Sequence, residues 1–398
     1  MSPSSVSSPK EAASPGVWVS AWRSAARRPA ARLALAWLGL VALLAVLAPV
    51  VSSGHPLIEQ QVDAAGNVVS TASPLARHLS HVDVLLLSLG LSVPAAWAVG
   101  SVVGRRRMLL AGALVLSALA TVLHPRPPAL ETFDQYARNR AAGTHRQVYV
   151  LNPWSPRERH AEARFTPPGG EVAGRRVVLG TDALGQDVLS QVLHASRLSI
   201  SVGVIAAGVA IGLGVIIGAL MGYFGGWVDA VLLRVVEVFM SVPTLLLLVT
   251  AAAVLPRNTY VLMAVIGCCS WTGAARFTRA EFLRLRELDW VAAARATGLR
   301  TPSIILRHML PAAITPVLVE AGFAMASAIL AEASLSYLGL GPAEQPSWGR
   351  LLSDAVSGTG EFHWWLGVFP GGAIFATVLS ANVLSEATRA AMSPKDEA

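Results

Sequence analysis

The chain has 398 residues, of which 54% are hydrophobic and 14% are charged, and its mean hydropathy is +0.55. A soluble protein of this length needs more charge to cover its surface, so the composition predicts an integral membrane protein. The net charge of +7 does not indicate a nucleic-acid partner, because arginine residues beside apolar spans commonly orient membrane proteins. The first roughly 20 residues, rich in Ser, Pro and Ala, predict a disordered tail without a cleavable signal.

Several apolar stretches are candidates for membrane-spanning helices, since a span needs about 20 apolar residues. They are Leu33–Val51, Val84–Val103, Met108–Leu123, Leu198–Met221, Val238–Leu255, Tyr260–Ala275, Ala312–Leu338 and Trp365–Leu384. Met108–Leu123 and Tyr260–Ala275 are the shorter ones, and Ala312–Leu338 carries Glu320 and Glu332. The pattern predicts an all-α fold of about eight transmembrane helices, five of them in a C-terminal block.

Arginine clusters beside short loops predict the orientation of these spans, because such loops remain in the cytoplasm. One cluster precedes the first span and consists of Arg23, Arg27, Arg28 and Arg32; another, Arg105 to Arg107, separates the second and third spans. Both termini are therefore predicted to be cytoplasmic. The predicted regions are a tail over 1–32, three spans over 33–124, an external segment over 125–197, a transmembrane domain over 198–391 with a cytoplasmic loop over 276–311, and a tail over 392–398.

The stretch "LDWVAAARATGLRTPSIILRHMLP", Leu288 to Pro311, interrupts the apolar block with a predicted helical hairpin. Apolar residues recur at helical spacing up to Leu299. Asp289 is predicted to cap the first helix, and Gly298 to end it in a left-handed conformation. Thr301 is predicted to cap a second helix, which starts at Pro302 and runs towards the membrane at Pro311. The hairpin is either a solvated connector or a contact surface, and these signals do not separate the two.

Several motifs carry a resemblance to a known family. "DWVAAARATG" followed by "IILRHMLP" resembles the cytoplasmic EAA loop of ABC-importer permeases. "LGTDALGQDVLSQVLHASRLSISVG", "GYFGGWVD", "AILAEASLSYLGLG" and "PSWGRLL" are similar to segments of the C-type subunits of dipeptide and oligopeptide permeases. The resemblance covers roughly residues 148–391, and the matches occur in the family's order.

The resemblance implies a permease subunit of a binding-protein-dependent ABC importer for peptides or similar small solutes, in the inner membrane. It implies three kinds of protein partner: a second homologous permease, two cytoplasmic ATPases and an extracytoplasmic binding protein. The loop would dock into the ATPase through Asp289, Ala293, Ala294 and Gly298, and it also contains Ala292 and Pro311. A short helix with an apolar stripe suits a groove, and arginine residues suit an acidic rim.

The sequence departs from the family in two places. The family's characteristic Glu falls at Ala292, where it would reach back to Asp289 in a capping box; its absence is expected to cost about 0.5–1 kcal/mol of local helix stability. The chain also has three predicted spans before the external segment where the family usually has one. The extra pair, Val84–Val103 and Met108–Leu123, preserves the orientation and is expected to pack on the outside of the bundle.

Other features were weighed for chemistry. Thr181, Asp182, Gly185 and Asp187 have the wrong spacing for a calcium loop, and Cys268 and Cys269 match no metal or redox motif. No phosphate-binding loop occurs, so ATP hydrolysis is expected in a partner and neither a catalytic residue nor a cofactor is expected here. Glu320 either lines a pathway or forms hydrogen bonds at a helix interface. The competing classes are a secondary transporter, which needs more buried titratable groups, and a membrane scaffold.

Overall fold

The computed structural model describes residues 28–63, 67–103, 106–125, 128, 133–342, 345–356 and 361–392. The predicted tails lie largely outside these residues, as do Arg23, Arg27 and Arg105 of the two arginine clusters. The chain forms helices and short strands. They are α1 (Pro29–Val51), β1 (Ile58–Val62), β2 (Val68–Ala72), α2 (Pro74–His78), α3 (His81–Val103), α4 (Arg106–Leu123), α5 (Phe133–Ala141), β3 (His145–Val148), β4 (Glu171–Val172), β5 (Arg175–Arg176), α6 (Val188–Phe224), α7 (Gly226–Ser241), α8 (Thr244–Val254), α9 (Thr259–Cys269), α10 (Thr272–Arg286), α11 (Asp289–Ala296), α12 (Thr301–Ser303), α13 (Leu310–Tyr337), α14 (Trp348–Val356) and α15 (Trp364–Met392).

The prediction of an all-α membrane protein is confirmed. Among the described residues, five helices are long and apolar enough to cross a membrane, and two bent helix pairs raise the number to seven if each pair is one span. The remaining predicted span, Met108–Leu123, corresponds to α4. Its apolar part, Arg107–Leu123, is shorter than the five spanning helices. The predicted span Leu198–Met221 is the inner part of the longer helix α6.

Two predicted spans are broken, which the hydropathy pattern did not predict. Val238–Leu255 was expected to be one helix, but α7 and α8 meet at an angle of 81°. Pro243 explains this break, because a proline disfavours helical geometry in the residue before it, and Val242 is extended with φ −99° and ψ 129°. Tyr260–Ala275 is likewise divided between α9 and α10, which meet at 44°.

Helix α6 lies at the centre of the bundle and packs against α10 through a stripe of glycines. A Cβ atom added at Gly214 would lie 2.8 Å from the backbone nitrogen of Ala275, and one at Gly218 would lie 2.7 Å from the Cβ of Thr278. At Gly222, it would lie 2.7 Å from the Arg279 carbonyl oxygen. At these contacts the two helices lie so close together that only glycine fits. Such close contacts through small residues are common between membrane helices.

The apolar core lies between α6, α8, α9 and α13. Its buried residues come from four helices, so α8 and α9, one segment of each broken pair, pack against the continuous helices α6 and α13. They are Leu198, Val202, Ala206, Leu248, Leu262, Met263, Ile266, Ala328 and Leu335.

One end of the bundle carries a small sheet that was not predicted. Strands β2, β1 and β3 form an antiparallel sheet in that order, and β4 and β5 form a separate hairpin. Residues 150–187 contain only that hairpin and a short 3-10 turn at Ala161–Ala163 as regular structure. The strands β1 (IEQQV) and β2 (VVSTA) are short, and neither alternates apolar and polar residues, so they lack the pattern that would identify them in the sequence.

The extra helix pair, α3 and α4, packs chiefly against itself and touches the rest of the chain mainly at α1. Within His81–Gly100 of α3, none of the residues in the most apolar 18-residue stretch is buried. This arrangement agrees with the expectation that the pair lies on the outside of the bundle.

Arg197 on α6 joins the extra pair to the core. Its guanidinium donates to the carbonyl oxygens of Ala45 and Val46 on α1 and forms an ion pair with Asp83 on α3. The Ala45 carbonyl needs a donor because Pro49, four residues later, has no N–H to offer it. The Arg197 side chain therefore supplies the donor that the Ala45 carbonyl lacks, and it holds α3 to the core through Asp83.

Replacing Asp83 with leucine is expected to loosen α3 from α1, since Arg197 would keep a partly buried charge without its counter-ion. The distance between α1 and α3 can be followed by cross-linking positions 46 and 90, because a Cβ atom at Gly90 would lie 2.8 Å from the Cγ1 atom of Val46. Cysteines at these two positions, in a chain whose Cys268 and Cys269 are alanine, should cross-link several-fold more slowly with Asp83→Leu. Asp83→Glu, which retains the charge, is the control, and an unchanged rate with Asp83→Leu would contradict this role.

Candidate functional site

The predicted hairpin between the spans is present. Its first helix, α11, starts one residue earlier than expected. Asp289 is the first residue of α11, and Leu288 is the N-cap residue, with an extended backbone and no capping side chain. The expectation that Asp289 caps the helix is therefore wrong. The reason is packing, because Leu288 lies against the buried residues beneath the hairpin and fixes where the helix begins.

Gly298 ends α11 in the left-handed conformation that the sequence predicts, with φ at +77°. The N–H of Gly298 donates to the Arg295 carbonyl at 3.0 Å, and the N–H of Leu299 donates to the Ala294 carbonyl at 3.2 Å. Such bonds satisfy the carbonyl groups left free at a helix end, and glycine adopts this geometry without the strain of a Cβ atom.

The second helix differs from its prediction at its start. Arg300 is its N-cap residue, so the expectation of a Thr301 cap is wrong, although Pro302 does occupy the first turn. The helix was expected to run towards the membrane at Pro311. It continues without a break through one π-helical turn, Ile304–Met309, into α13. A wider turn of this kind accommodates a proline, which has no N–H for the usual bond, so Pro311 lies exposed within a continuous helix.

The hairpin is fixed to the bundle by its underside. Val291 is fully buried in a cluster with residues from α10, the π turn and α13: Phe282, Leu285, Ile304, Met309 and Ala313. Ala294 is half-buried and packs against the same cluster. Asp289, Ala292 and Ala293 are exposed on the other side of α11. The predicted docking residues therefore divide into an outward face of three residues and a supporting set of Ala294, Gly298 and Pro311.

The capping-box interpretation of Ala292 is wrong. With Leu288 as the N-cap, the third helical position is Val291, which is buried, and Ala292 is the fourth position. A carboxylate at Ala292 is therefore one residue too far along to reach back to the N-cap N–H. The absence of the family's Glu changes the exposed face of α11 and has no consequence for its cap.

The sequence analysis missed two contacts near the junction of α6 and α7, one made by α10 and one by the hairpin. The Arg279 guanidinium forms a bidentate ion pair with Asp229, at 2.5 and 2.6 Å. The Arg295 guanidinium lies 5.0 Å from the ring centre of Tyr223, at cation–π distance. Tyr223 and Asp229 both belong to "GYFGGWVD", which was singled out as a motif, so the signal was visible although its partners were not.

A second feature is an open cleft of about 870 Å³ between α7 and α10. Its charged lining residues are Glu237, Arg276 and Arg279, and Gly273 lies on its wall. Glu237 accepts a hydrogen bond from Arg234 at 2.5 Å, in an ion pair that is largely exposed. Glu320 on α13 is half-buried, and a Cβ atom at Gly273 would lie 3.4 Å from its Oε1 atom.

Glu332, by contrast, is fully buried and belongs to the framework. Its Oε1 atom accepts hydrogen bonds from the hydroxyl groups of Ser336, at 2.6 Å, and Ser347, at 2.7 Å. Ser347 immediately precedes α14, whose Trp348 donates to the Val192 carbonyl on α6 at 3.0 Å. The carboxylate thus fixes α14 between α13 and α6.

The Thr181–Asp187 stretch is occupied by internal hydrogen bonds. Asp182 accepts from the N–H groups of Leu184 and Gln186 and from the Gln191 side chain, at 2.7–2.9 Å. Asp187 caps α6 by accepting from the Ser190 N–H at 2.7 Å, and it also accepts from Asn152 at 2.9 Å. These hydrogen bonds occupy the carboxylate oxygens that would have to coordinate a cation. Within the described ranges, no cluster of three or more His, Cys, Asp or Glu side chains fits a metal ion.

Burial raises the pKa of the Asp187 carboxyl from its ordinary 3.8 to about 6, and the hydrogen bonds from Asn152 and Ser190 only partly oppose the shift. Its Oδ1 atom is buried without a partner among the described residues. A carboxyl whose pKa is raised by folding contributes stability below its unfolded pKa of about 3.9, and loses that contribution as the pH rises through 6.

Asp187→Asn should therefore gain stability relative to the wild type as the pH rises from 4 to 8, by on the order of 2 kcal/mol. The amide retains an acceptor for the Ser190 N–H and carries no charge. Thermal unfolding of the two purified proteins across this pH range measures the difference. Asp354, whose pKa burial also raises to about 6, is present in both proteins and cancels. A pH-independent difference would contradict the assignment.

Comparison with known proteins agrees with the motifs. Residues 214–395 match the family described as "Binding-protein-dependent transport system inner membrane component". The chain is 35% identical over 217 residues to the oligopeptide transport system permease protein OppC of Bacillus subtilis (strain 168). This match covers 54% of this chain and 71% of that protein. The chain belongs to this permease family. A putative peptide transport system permease protein of Brucella suis biovar 1 (strain 1330) is 35% identical over 254 residues, covering 62% of this chain and 82% of that protein.

Membership makes the chain a permease subunit of an ABC importer: a multi-pass inner-membrane protein that transports and is not an enzyme. Such a permease works with ATPase and substrate-binding partners. The alternatives of a secondary transporter and a scaffold are thereby set aside. Among solved structures, the inward-facing MetNI methionine ABC transporter matches at a TM-score of 0.39 and 16% identity, covering 52% of this chain and 98% of that chain.

Proposed function

We propose that this permease imports peptides and forms half of their pathway, with a second homologous permease as the other half. The relatives named above are oligopeptide and peptide permeases. The observation that carries the pathway is the charged cleft between α7 and α10, because it leaves ionised side chains exposed on helices that belong to the membrane region.

The charge pair on α7 cannot face lipid. Arg234 and Glu237 have exposed fractions of 82% and 48% for their side chains. Arg234 lies roughly 12 Å along the helix axis from Gly226, at about 1.5 Å per residue. A charged side chain at depth in hydrocarbon costs about 2.5–3.5 kcal/mol or more, so such residues face water or a protein partner. A pathway between two permeases supplies both.

We assign Glu320 to the wall of this pathway. Its carboxylate lies beside Gly273, which lines the cleft, and its side chain is only half-buried. Glu237, Arg276 and Glu320 together offer both signs of charge, which suits the two charged termini of a peptide.

In this proposal two cytoplasmic ATPases bind the permease pair, one through this chain's hairpin. The outward face of Asp289, Ala292 and Ala293 makes the contact, Ala294 and Gly298 hold its shape, and Pro311 lies where the hairpin joins α13. The underside cluster and the Arg279–Asp229 pair support transmission of motion to α6 and α7. An extracytoplasmic binding protein delivers the peptide at the opposite end.

The proposed topology has both termini in the cytoplasm, tails at 1–32 and 392–398, three spans within 33–124, an external segment over 125–197 and the permease domain over 198–391. Cysteines at positions 106 and 300 should resist a membrane-impermeant maleimide added to intact cells, and a cysteine at position 170 should react. The three variants are compared in a chain whose Cys268 and Cys269 are alanine. Labelling of position 106 from outside, with 300 protected, would show that the extra pair is misassigned.

The assembly is tested by purifying the tagged chain from membranes of its own host and measuring the mass of the intact complex. We expect one copy of this chain, one of a second permease and two ATPase subunits, with ATP hydrolysis stimulated by a peptide-loaded binding protein. A complex that contains two copies of this chain and no second permease would refute the pairing. A complex without ATPase subunits would refute the role of the hairpin.

A further inference from the structure

Arg276 is the one charged residue on the wall of the cleft between α7 and α10 that forms no ion pair with another described residue. The other two charged lining residues, Glu237 and Arg279, each have an ion-pair partner within the chain. Arg276 is exposed, and its guanidinium donates to the sulfur of Met240 at 3.7 Å. A thioether is a weak acceptor and a guanidinium has five donors, so Arg276 can bind a further group.

This guanidinium lies beside a membrane-spanning helix and not beyond its end. The residue before it, Ala275, packs against Gly218 of α6. Gly218 lies roughly 9 Å before the end of that helix at Phe224, at about 1.5 Å per residue. A guanidinium cannot lose its proton, and a charge at such a position is costly unless water or an anion meets it. A ligand that enters the cleft and displaces solvent must therefore bring acceptor oxygens for Arg276.

A carboxylate lies about one helical turn from Arg276 on each side. On α7, Glu237 is three residues before Met240, which contacts Arg276. On α10, Gly273 is three residues before Arg276, and a Cβ atom at Gly273 would lie 3.4 Å from the Oε1 atom of Glu320. Residues three apart are neighbours on a helix surface, at about 5–6 Å between Cβ atoms. A cation between groups of opposite sign suits a zwitterion and disfavours a ligand that carries only negative charge.

We propose that Arg276 binds the C-terminal carboxylate of the peptide as it passes through the cleft, an inference that rests on the proposed function. The planar guanidinium matches a carboxylate with two parallel hydrogen bonds. Every unmodified peptide carries this carboxylate whatever its side chains, so a single arginine can recognise peptides of different sequence. Arg276 thus selects substrates by their free C-terminus, in addition to any selection by the binding protein.

The test compares tri-alanine with tri-alanine amide, which lacks the terminal carboxylate, in proteoliposomes that contain the complete complex, ATP and the binding protein. The selectivity measured is kcat/KM for uptake of the free peptide divided by kcat/KM for the amide. Selection by the binding protein is the same for every permease variant, so it cancels. We expect Arg276→Gln to lower the selectivity at least tenfold, through slower uptake of the free peptide alone. Arg284→Gln, at an exposed position of the same helix outside the cleft, is the matched control and should leave the selectivity unchanged.

A second pair of variants keeps Arg276 in place. Met240→Glu puts a carboxylate where the sulfur now contacts the guanidinium, so Arg276 gains an internal counter-ion that competes with the substrate. We expect the selectivity to fall at least fivefold. Met240→Gln has a similar size and no charge, and it should retain the wild-type selectivity. Met240 is 50% exposed, so neither substitution disturbs the core.

Three outcomes would overturn this inference alone: uptake of both peptides with unchanged selectivity in Arg276→Gln, an equal loss of both peptides in that variant, or equal falls in the two Met240 variants. Loss of the second permease from the purified Arg276→Gln complex would also overturn it, because Arg276 would then bind a carboxylate of that partner. Uptake of neither peptide by the wild type would instead refute the proposed function, and this inference with it.

Discussion

Replacing Gly218 with valine should prevent the bundle from assembling stably, and this is the largest structural effect that we expect from a single substitution. The added Cβ atom would lie 2.7 Å from the Cβ of Thr278 and closer still to the carbonyl oxygen of Ala275. Backbone atoms cannot move aside as a flexible side chain does. The helices α6 and α10 must therefore separate, at an expected cost of about 3 kcal/mol or more, the upper part of the range for overpacking.

Gly208 provides the matched control. It lies on the same helix, is exposed, and a Cβ atom there would meet nothing within 4 Å. Gly208→Val should give a protein that is monodisperse in detergent and unfolds at a temperature close to that of the wild type. Gly218→Val should aggregate or unfold well below it. Equal melting temperatures for the two variants would show that α6 and α10 are less tightly packed than the glycine stripe implies.

Replacing Ala293 with tryptophan should uncouple the permease from its ATPases without loss of the permease from the membrane. Ala293 is exposed on the side of α11 opposite the buried Val291, so a larger side chain there disturbs no contact within the chain. A groove that fits a small residue cannot also accept an indole. Because every 1.4 kcal/mol of lost affinity is a factor of ten, we expect at least a tenfold loss of peptide-stimulated ATP hydrolysis.

Ala293→Ser is the control for size, since it adds one polar atom and should retain most of the coupling. Both variants are compared with the wild type in the reconstituted complex, and the amount of membrane-inserted chain is measured separately. Full coupling in Ala293→Trp would show that the ATPase does not contact this face of α11. A reduced amount of inserted chain would show instead that the substitution acts on folding, which the exposure of Ala293 argues against.

The sequence alone determined the features that depend on composition and on neighbouring residues. Long apolar stretches identify membrane helices because no other element satisfies the backbone in lipid. The left-handed turn at Gly298 was predictable because glycine followed by Leu-Arg-Thr-Pro is a local signal for a helix end. The motifs identified the family because they occur in order over more than half of the chain.

The tertiary structure alone decided where these elements begin, bend and join. Leu288 rather than Asp289 precedes α11, because burial of Leu288 beneath the hairpin outweighs the capping preference of aspartate. Pro311 does not end its helix, since a π turn absorbs the missing hydrogen bond while α13 remains packed in the core. Arg197 meets Asp83 across a separation of more than a hundred residues, and no local pattern connects them. Local propensities amount to about 1 kcal/mol per residue, and burial of a large apolar side chain amounts to about 1.5–3 kcal/mol, so packing prevails where the two disagree.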